Sequence, residues 1–273
     1  MRNATPPETA QPAARRDEAA RPAARREGVQ AIARAARVMR ALARTPEGMT
    51  LAELASAAEL PKSTVHRIAA ALSEEDLLIT DGSGRMAIGP GLVRLGAAGT
   101  RAMPALLRPT LEALHDEVRE TVDLAIPDGA GMRFIDQLAG PGRLTTVSAV
   151  GTRFPLHCTA NGKAFLAALS PERARALLPA RLDRFTPHTI TSHAALQAEL
   201  ELIREAGVAF DREEHTEGIC AAGAAVLDGD GPIAAISAPV PAARFRAREA
   251  FFARAVLTAG TRACELLSDV PHR

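Results

Sequence analysis

Residues 50–67 constrain the fold most, because their sequence pattern predicts two short helices joined by a tight turn. Thr50 is a good N-cap residue for the first helix, and Pro61, whose fixed φ suits a first helical turn, opens the second. Apolar side chains recur three and four residues apart in both segments, as they do along one face of a helix. They are Leu51, Leu54, Ala55 and Ala58 in the first helix and Val65, Ile68, Ala69 and Leu72 in the second. This pattern predicts a helix-turn-helix.

A third helix is predicted just before this motif, over residues 29–43. Helices this short are unstable alone and need a partner to pack against. The apolar positions Val29, Ile32, Ala36, Met39 and Ala43 form one face of this helix, and Arg34, Arg37 and Arg44 form the other. Three amphipathic helices can therefore bury a common small core.

The polar side of the second helix predicts DNA binding. If Val65 and Ile68 face inward, the polar residues of the same helix face solvent, where a recognition helix enters the major groove. Arginine can read a guanine edge, and hydroxyls and free N–H groups at a helix start suit phosphate oxygens. The alternative interpretation is an ordinary solvated helix face. The candidate DNA-binding residues are Thr50, Lys62, Ser63, Thr64, His66, Arg67 and, from the next segment, Arg85.

Residues 77–89 predict a β-hairpin directly after the recognition helix. Two β-like runs flank Asp81, Gly82, Ser83 and Gly84, which tolerate the positive φ that a tight hairpin requires. A hairpin in this place is a wing, and Arg85 near its tip is positioned to contact a phosphate or the minor groove. The alternative is a surface arginine at the end of a strand.

Charge alone does not argue for nucleic acid, because the chain has a net charge of only +1. Residues 29–90 hold seven Lys or Arg and seven Asp or Glu, so the distribution of charge matters instead. Glu74, Glu75 and Asp76 lie past the recognition helix, whereas Lys62 and Arg67 lie on its polar face. A neutral domain binds DNA weakly by itself, which favours a dimer or higher assembly on repeated half-sites.

Composition divides the chain into four segments. Residues 1–28, with four Pro, eight Ala and six Arg, lack the apolar content to fold and are predicted to be a disordered tail. A basic arm lying on DNA is the alternative for this tail. Residues 29–90 form the winged domain, and residues 91–103 can form a helix that breaks at Pro104, with the domain boundary near Gly99. Residues 104–273 form the C-terminal domain.

The C-terminal domain mixes helices and strands, which predicts an α+β fold. Strands are expected at 121–127 and 132–138, with 144–150 as a third candidate. Helices are expected at 105–120, 161–169, 196–206 and 243–267, and a hairpin at 219–227 and 232–240.

Composition also indicates a globular protein of the cytosol. A chain of 273 residues with 47% hydrophobic content suffices for roughly two domains. Cys158, Cys220 and Cys264 cannot all pair within one chain and show no metal spacing, which indicates reduced thiols. No apolar run approaches the roughly 20 residues of a membrane span, and no signal peptide is visible. We therefore expect a cytoplasmic protein with no membrane partner, no metal and no cofactor.

From residue 29 onward the chain resembles the IclR (isocitrate lyase regulator) family of bacterial transcription factors. The matching landmarks are LAELASAAELPKSTVHRIAAAL, IGPGLVRLGAA, PLHCTANGKAFLAAL and FDREEHTEGICAAGAAVLDGDGPIAAISAPVPAARF, in this order. The resemblance implies a GAF-like effector-binding domain and a linker helix that helps the DNA-binding domains dimerise. It also implies a homodimer or homotetramer on double-stranded operator DNA, with a small organic or aromatic acid as effector.

The same resemblance places the effector pocket. The family's effector loop matches residues 157–163, where small residues before a helix expose N–H groups able to hold a carboxylate. The opposite wall matches Asp211, the strand at 218–221 and Ser237. The candidate effector-binding residues are His157, Ala160, Asn161, Asp211, Cys220, Ala221 and Ser237.

Several of these positions depart from the family pattern or have a second explanation. Where many members have cysteine this chain has Ala221, with Cys220 one position earlier; Pro239 replaces a pocket serine and Asn161 replaces a smaller residue. The alternatives are that Cys220 is a core residue, that Asp211 caps a turn and that Ser237 is a hydrogen-bond partner of a residue on a neighbouring strand. The identity of the effector is therefore not carried over.

An enzyme with a GAF-like domain and an N-terminal interaction module is the second function class. His157 and Cys158 suggest a Cys/His nucleophile, but adjacent strand residues point to opposite faces and pair poorly. His215 with Glu213 and Glu214 suggests a metal site, but no HExxH or CxxC spacing supports one. We therefore predict a ligand-responsive DNA-binding transcriptional regulator with no catalytic residues.

Overall fold

The computed structural model describes residues 20–45, 47–141 and 149–268, with side chains from residue 30 onward. The chain divides into two compact units, the first ending at Arg101 and the second beginning at Ala102. Each unit has an apolar core of its own.

The first unit is a winged helix-turn-helix, as the sequence predicts. Its helices are α1 (Ala20–Ala43), α2 (Leu51–Ala57) and α3 (Lys62–Glu74), and its wing is the hairpin of β1 (Leu78–Thr80) and β2 (Met86–Ile88). The two strands pair antiparallel across the turn at 81–84. The core contains six of the predicted residues, Leu54, Ala55, Ala58, Val65, Ala69 and Leu72, together with Val38, Ala41, Leu42, Leu78 and Met86.

Helix α1 buries a different face from the predicted one. Val38 and Leu42 are buried, whereas Ile32 is 74% exposed. An alanine-rich helix presents more than one apolar stripe, because successive positions turn by about 100°, and the pattern alone does not select the stripe that packs. As a result Arg37, predicted to face solvent, donates a hydrogen bond to the backbone carbonyl of Ala58 in the helix-turn-helix turn.

Helix α1 also begins earlier than predicted. It starts at Ala20, so residues 20–28 are helical and do not belong to the predicted tail. Alanine and arginine have high helix propensity, and the packed part of α1 supplies the nucleus from which the helix extends. Residues 1–19 of the predicted tail lie outside the described residues.

One helix, α4 (Pro90–Val118), spans the region where the sequence predicts a break at Pro104. The predicted break is wrong, because Pro104 and Pro109 both lie inside the helix. An internal proline costs roughly 3 kcal/mol through a lost hydrogen bond and a steric clash. Burial of apolar side chains such as Leu107 and Leu114 in the core of the second unit outweighs this cost.

Six strands form one antiparallel sheet in the second unit: β3 (Val122–Asp128), β4 (Gly131–Leu138), β5 (Arg153–Pro155), β6 (Ala209–Arg212), β7 (Ile219–Asp228) and β8 (Gly231–Pro241). Their order in the sheet is β5-β4-β3-β8-β7-β6. Strands β3 and β4 and the hairpin β7-β8 are predicted by the sequence, whereas the short strands β5 and β6 are not. Of the third candidate strand, residues 144–148 lie outside the described residues, and Ala149 and Val150 are not in a strand.

Helices cover both faces of this sheet. They are α5 (Ala160–Ala167), α6 (Pro171–Ala176), α7 (His193–Ala206) and α8 (Ala242–Ser268), in addition to the end of α4. Helices α5 and α7 pack on one face, while α8 and the end of α4 pack on the other. The predicted fold class, a winged helix-turn-helix with a second, α+β domain, is confirmed.

Alternation along the central strands distributes side chains between the two faces. In β7, Cys220 and Ala222 belong to the core beneath α8. In β8, Ile236 belongs to that same core, whereas its neighbour Ala235 belongs to the core beneath α5. The parity of a residue in these strands therefore decides which side of the sheet it lines.

Candidate functional site

Helix α3 turns its polar side chains toward solvent. Lys62, Ser63, His66 and Arg67 are exposed, whereas Thr64, predicted with them, is half-buried. The apolar stripe of the same helix, Val65, Ala69 and Leu72, is buried in the core of the unit. Burial of this apolar stripe therefore fixes the orientation of α3, so that its polar side faces solvent.

The start of α3 is suited to an anionic partner. Pro61 is the N-cap residue, and no side chain caps the helix. The first N–H groups of such a helix carry a partial positive charge that attracts phosphate. Within the described part of the chain, Lys62 and Arg67 are engaged in no hydrogen bond or ion pair. The face therefore combines two available cations with a polar helix start.

Thr50 and Arg85 make contacts within the unit. Thr50 caps α2: its Oγ1 accepts from the Glu53 N–H at 3.4 Å, and its own N–H donates to Glu53 Oε2 at 2.8 Å. The Thr50 N–H and hydroxyl both donate to the Glu53 carboxylate, and these two hydrogen bonds lower the pKa of its carboxyl. Arg85 donates to the Gly48 carbonyl at 2.6 Å and lies 3.4 Å from Glu53 Oε2. Both residues predicted to contact DNA thus stabilise the junction of α2 with the wing.

A cavity of about 170 Å³ lies between the sheet and the start of α5. Five of the predicted effector-binding residues line it, namely Ala160, Asn161, Asp211, Ala221 and Ser237. The structure adds Asp123, Phe134, Phe154, Thr159, His215, Thr216, Ile219 and Pro239 to the lining.

Two predicted effector-binding residues, Cys220 and His157, do not line this cavity. Cys220 belongs to the core beneath α8, because it alternates along β7 with Ala221, which does line the cavity. Burial raises the pKa of the Cys220 thiol to about 11. His157 is buried, and its Nε2 lies 2.9 Å from the backbone oxygen of Asp183, so it holds a loop in place.

The start of α5 is packed closely against β7. A Cβ atom at Gly223 would lie 2.8 Å from the carbonyl carbon of Ala160, so the approach requires glycine. Thr159 caps the helix by accepting from the Gly162 N–H at 3.2 Å. Asn161 is buried, and its Nδ2 has no hydrogen-bond acceptor in the described part of the chain. An unpaired buried donor costs about 1–3 kcal/mol, which an acceptor on a ligand would recover.

Two buried carboxylates, Asp123 and Asp211, also line the cavity. Oδ1 of Asp211 accepts from the Glu214 N–H at 2.7 Å. Burial raises the pKa of the Asp211 carboxyl to about 7. Oδ1 of Asp123 accepts from Gln137 Nε2, also at 2.7 Å. The sequence analysis did not predict Asp123 as a site residue, although a lone aspartate within an apolar strand can indicate a functional site.

Aromatic rings form a further wall. Phe134 and Phe154 meet edge to face with their centroids 5.1 Å apart, and His215 stacks on Phe154 at 4.2 Å. Burial lowers the pKa of His215, which favours the neutral form of its ring. Sequence analysis missed these rings because they come from segments far apart in the chain and carry no local motif.

Two larger grooves among the described residues of the second unit differ from this cavity in their lining. One, of about 310 Å³, is lined mainly by alanine, glycine and leucine from α5, α7, β7 and α8. The other, of about 560 Å³, lies between α6 and α7. The smaller cavity differs from both in its buried polar side chains, Asp123, Thr159, Asn161, Asp211 and Ser237.

The described residues include no group of three or more His, Cys, Asp or Glu placed to hold a metal ion. Burial raises the pKa of the Cys158 thiol far above its ordinary value, which keeps it protonated and unreactive. In the same part of the chain, no helix is both long enough and apolar enough to cross a bilayer.

A winged helix-turn-helix followed by an α+β domain with a polar cavity defines a ligand-responsive transcriptional regulator. Two family profiles match the chain: "Bacterial transcriptional regulator IclR C-terminal" over residues 98–265 and "IclR helix-turn-helix domain" over residues 31–82. The chain belongs to the IclR family, as the sequence resemblance indicates.

Individual relatives agree with this assignment. The chain is 47% identical to the HTH-type transcriptional regulator Rv1719 of Mycobacterium tuberculosis, over 78% of this chain and 82% of the relative. It is 33% identical to the transcriptional repressor IclR of Escherichia coli, over 74% of this chain and 77% of that relative. It matches the crystal structure of an IclR homolog from Microbacterium hydrocarbonoxydans complexed with 4-hydroxybenzoate, with a TM-score of 0.57, 23% identity and coverage of 87% and 98%. That last likeness shows the fold.

The protein is therefore a DNA-binding transcriptional regulator whose C-terminal domain binds an effector. Its relatives are regulators and not enzymes, so the catalytic alternative is rejected.

Proposed function

We propose that the effector is a small organic acid that occupies the cavity beside α5. A cavity of roughly 150 Å³ accommodates benzene. The cavity of about 170 Å³ therefore suits one substituted aromatic ring or a shorter aliphatic chain. The edges and faces of Phe134 and Phe154 supply an apolar wall for such a ring.

The observation that carries this proposal is the unpaired Nδ2 of Asn161, buried at the wall of the cavity. Together with the first N–H groups of α5, it forms an acceptor-binding corner for a carboxylate. The homolog from Microbacterium hydrocarbonoxydans holds 4-hydroxybenzoate, which indicates that this fold can house a single-ring acid.

We further propose that the DNA-reading residues are Lys62, Ser63, His66 and Arg67, with Thr64 and Thr50 at the edge of the face. Residues 29–90 would bind the operator, 91–103 would connect the domains, and 104–273 would bind the effector. We propose a location in the cytoplasm, which the role of a DNA-binding regulator supports. For Arg85, its contacts within the unit favour a supporting role over a phosphate contact.

A homodimer or homotetramer on pseudo-palindromic DNA is the assembly that we propose. The first unit exposes three large apolar side chains, Ile32, Val93 and Leu95, by 60% or more. Such residues support a protein contact when they are near one another, and a neutral DNA-binding domain gains affinity from two half-sites. Light scattering that shows a monomer at micromolar concentration, with and without DNA, would contradict this assembly.

The decisive experiment measures binding of the purified protein to the intergenic DNA beside its own gene, with and without candidate acids. We expect specific binding and a change in affinity at saturating concentrations of an acid that fits the cavity. Specific binding that no single-ring or short aliphatic acid alters would contradict the proposed effector class.

A further inference from the structure

A groove of about 310 Å³, the α5–α8 groove, lies in the second unit where β7 runs beyond its edge strand. Strand β6 pairs only with residues 220–223 of β7, and the residues that follow, Ala224, Ala225 and Leu227, line the groove. The ends of α5 and α7 and the second half of α8 form the remaining walls. The volume falls within the range of roughly 300–1,000 Å³ that is typical of small-molecule sites. None of the described lining residues belongs to the effector cavity.

Arg204 is the one charged residue in the described lining of the α5–α8 groove. Its Nε donates to the carbonyl of Ala167 at 2.9 Å, which fixes the guanidinium at the end of α5. Its Nη2 is buried and has no hydrogen-bond acceptor in the part of the chain that the structure describes. A buried charged donor without an acceptor is costly, because it has lost water and gained no partner. The guanidinium therefore favours an anionic partner, and a carboxylate matches its N–H groups well.

The other polar side chains of the α5–α8 groove are already engaged. The Thr261 hydroxyl donates to the Leu257 carbonyl at 3.0 Å within α8, and Cys264 Sγ accepts from the Leu227 N–H at 3.1 Å. The rest of the described lining is alanine, glycine, leucine and isoleucine. A ligand that matches this groove therefore has one anionic end, and the remainder of it is apolar.

We propose that the α5–α8 groove is a second small-molecule site, which binds a monocarboxylate with a large apolar body. The carboxylate binds Arg204, and the apolar body lies along the end of β7 and against Leu257. A cavity of roughly 150 Å³ accommodates benzene, so about 310 Å³ suits about twice as many atoms, as in octanoate or 2-naphthoate. Such acids are larger than the single-ring or short aliphatic acid proposed for the effector cavity.

The test is isothermal titration of the full chain with octanoate and 2-naphthoate, an aliphatic and an aromatic form of such an acid. Octan-1-ol and octylammonium lack the carboxylate, and acetate lacks the apolar body. We expect at least one of the two acids to bind about tenfold or more tightly than each of these three controls, because a charge-assisted pair and apolar burial both contribute.

Cys264 provides a local readout, since it lines the groove and is half-buried, whereas Cys158 and Cys220 are buried. Alkylation of the three thiols by iodoacetamide is followed by mass spectrometry. By mass action, an acid present at about ten times its Kd leaves roughly one-tenth of the sites free, so Cys264 should react about tenfold more slowly.

Two variants test the groove, and two others are controls. Arg204→Met removes the charge and should weaken binding of the acid about tenfold or more. Thr261→Phe leaves Arg204 in place and fills the groove from the exposed side of α8, so it should abolish binding. Ala160→Phe, in the effector cavity, and Arg181→Met, at an exposed arginine outside both sites, should leave the affinity unchanged. Thermal unfolding shows whether each variant is folded, and Thr261→Phe with the control probes decides the matter if Arg204→Met is not.

Acids that bind no more tightly than the three control probes, or unchanged alkylation of Cys264 at saturating acid, would overturn the inference. Full affinity in a folded Arg204→Met chain would do the same. Binding that Ala160→Phe abolishes and Arg204→Met keeps would place the acid in the effector cavity, which overturns the second site and supports the proposed function of that cavity.

Discussion

Nζ of Lys163 lies 2.6 Å from Oε1 of Glu214 and 3.1 Å from Oε1 of Glu199, and the lysine side chain is completely buried. The ion pair links α5, which carries Asn161, to the turn after β6. Asp211 accepts a hydrogen bond from the N–H of Glu214 in that turn. The buried ion pair therefore joins two walls of the cavity beside α5.

Removing Lys163 should be strongly destabilising, because it leaves buried carboxylates without a counter-charge. We expect Lys163→Met to lower the free energy of unfolding of the second unit by roughly 3–5 kcal/mol, measured by urea denaturation. Adding Glu214→Gln should recover part of this loss. Lys62→Met, at an exposed lysine, is the control, and equal stability of the two lysine variants would contradict the prediction.

Arg67 and Lys62 should contribute to DNA binding in different ways. If the Arg67 guanidinium reads a base edge, Arg67→Ala should weaken operator binding by ~1–3 kcal/mol and leave nonspecific binding nearly unchanged. Lys62→Ala should weaken binding to all DNA sequences. It should also reduce the slope of the logarithm of the binding constant against the logarithm of salt concentration by roughly one. Titrations of operator and scrambled DNA at several salt concentrations separate the two effects. Unchanged operator affinity in Arg67→Ala would remove this residue from the reading face.

Arg85→Ala should affect stability more than DNA affinity. The change removes a 2.6 Å hydrogen bond to the Gly48 carbonyl and a partly exposed ion pair with Glu53. We expect the free energy of unfolding of the winged unit to fall by about 0.5–1.5 kcal/mol. The dependence of operator affinity on salt concentration should not change. A lower salt slope with unchanged stability would instead assign Arg85 to a phosphate contact.

The sequence predicts the fold well where strong periodicity and turn chemistry coincide. The helix-turn-helix, the wing and the hairpin β7-β8 follow from apolar spacing beside turn residues. Prediction fails where tertiary packing decides the outcome, as in the face of α1 that Val38 occupies and the passage of α4 through Pro104. Propensity alone carries no information on such packing.

The lining of the cavity beside α5 could be predicted only in part, because tertiary packing decides which residues it contains. The resemblance identifies the loop that holds Asn161, but strand parity decides that Ala221 faces the cavity and Cys220 does not. Asp123 and Phe154 join the site through strands that the pairing of β3 with β8 and of β4 with β5 brings close. Such long-range pairing is not encoded in any local segment.

Asp211 should make stability depend on pH. Burial raises the pKa of its carboxyl to about 7 in the folded chain, whereas the unfolded value is near 4. The folded state therefore binds the proton more tightly, so this contribution to stability is present below pH 4 and is lost as the pH rises through about 7. Asp211→Asn should gain stability relative to the unchanged chain between pH 5 and pH 8, measured by thermal unfolding. A constant difference across this range would contradict the raised pKa.

A large side chain at Ala160 should block the effector without weakening DNA binding. Ala160 lines the cavity at the start of α5, whereas the recognition helix α3 belongs to the other unit. We therefore expect Ala160→Phe to bind the operator normally and to lose the response to an effective acid. Cys220→Ala, one residue from the cavity wall but on the opposite face of β7, is the matched control and should keep the response. Operator affinity with and without saturating acid is the measurement, and a full response in Ala160→Phe would place the effector site elsewhere.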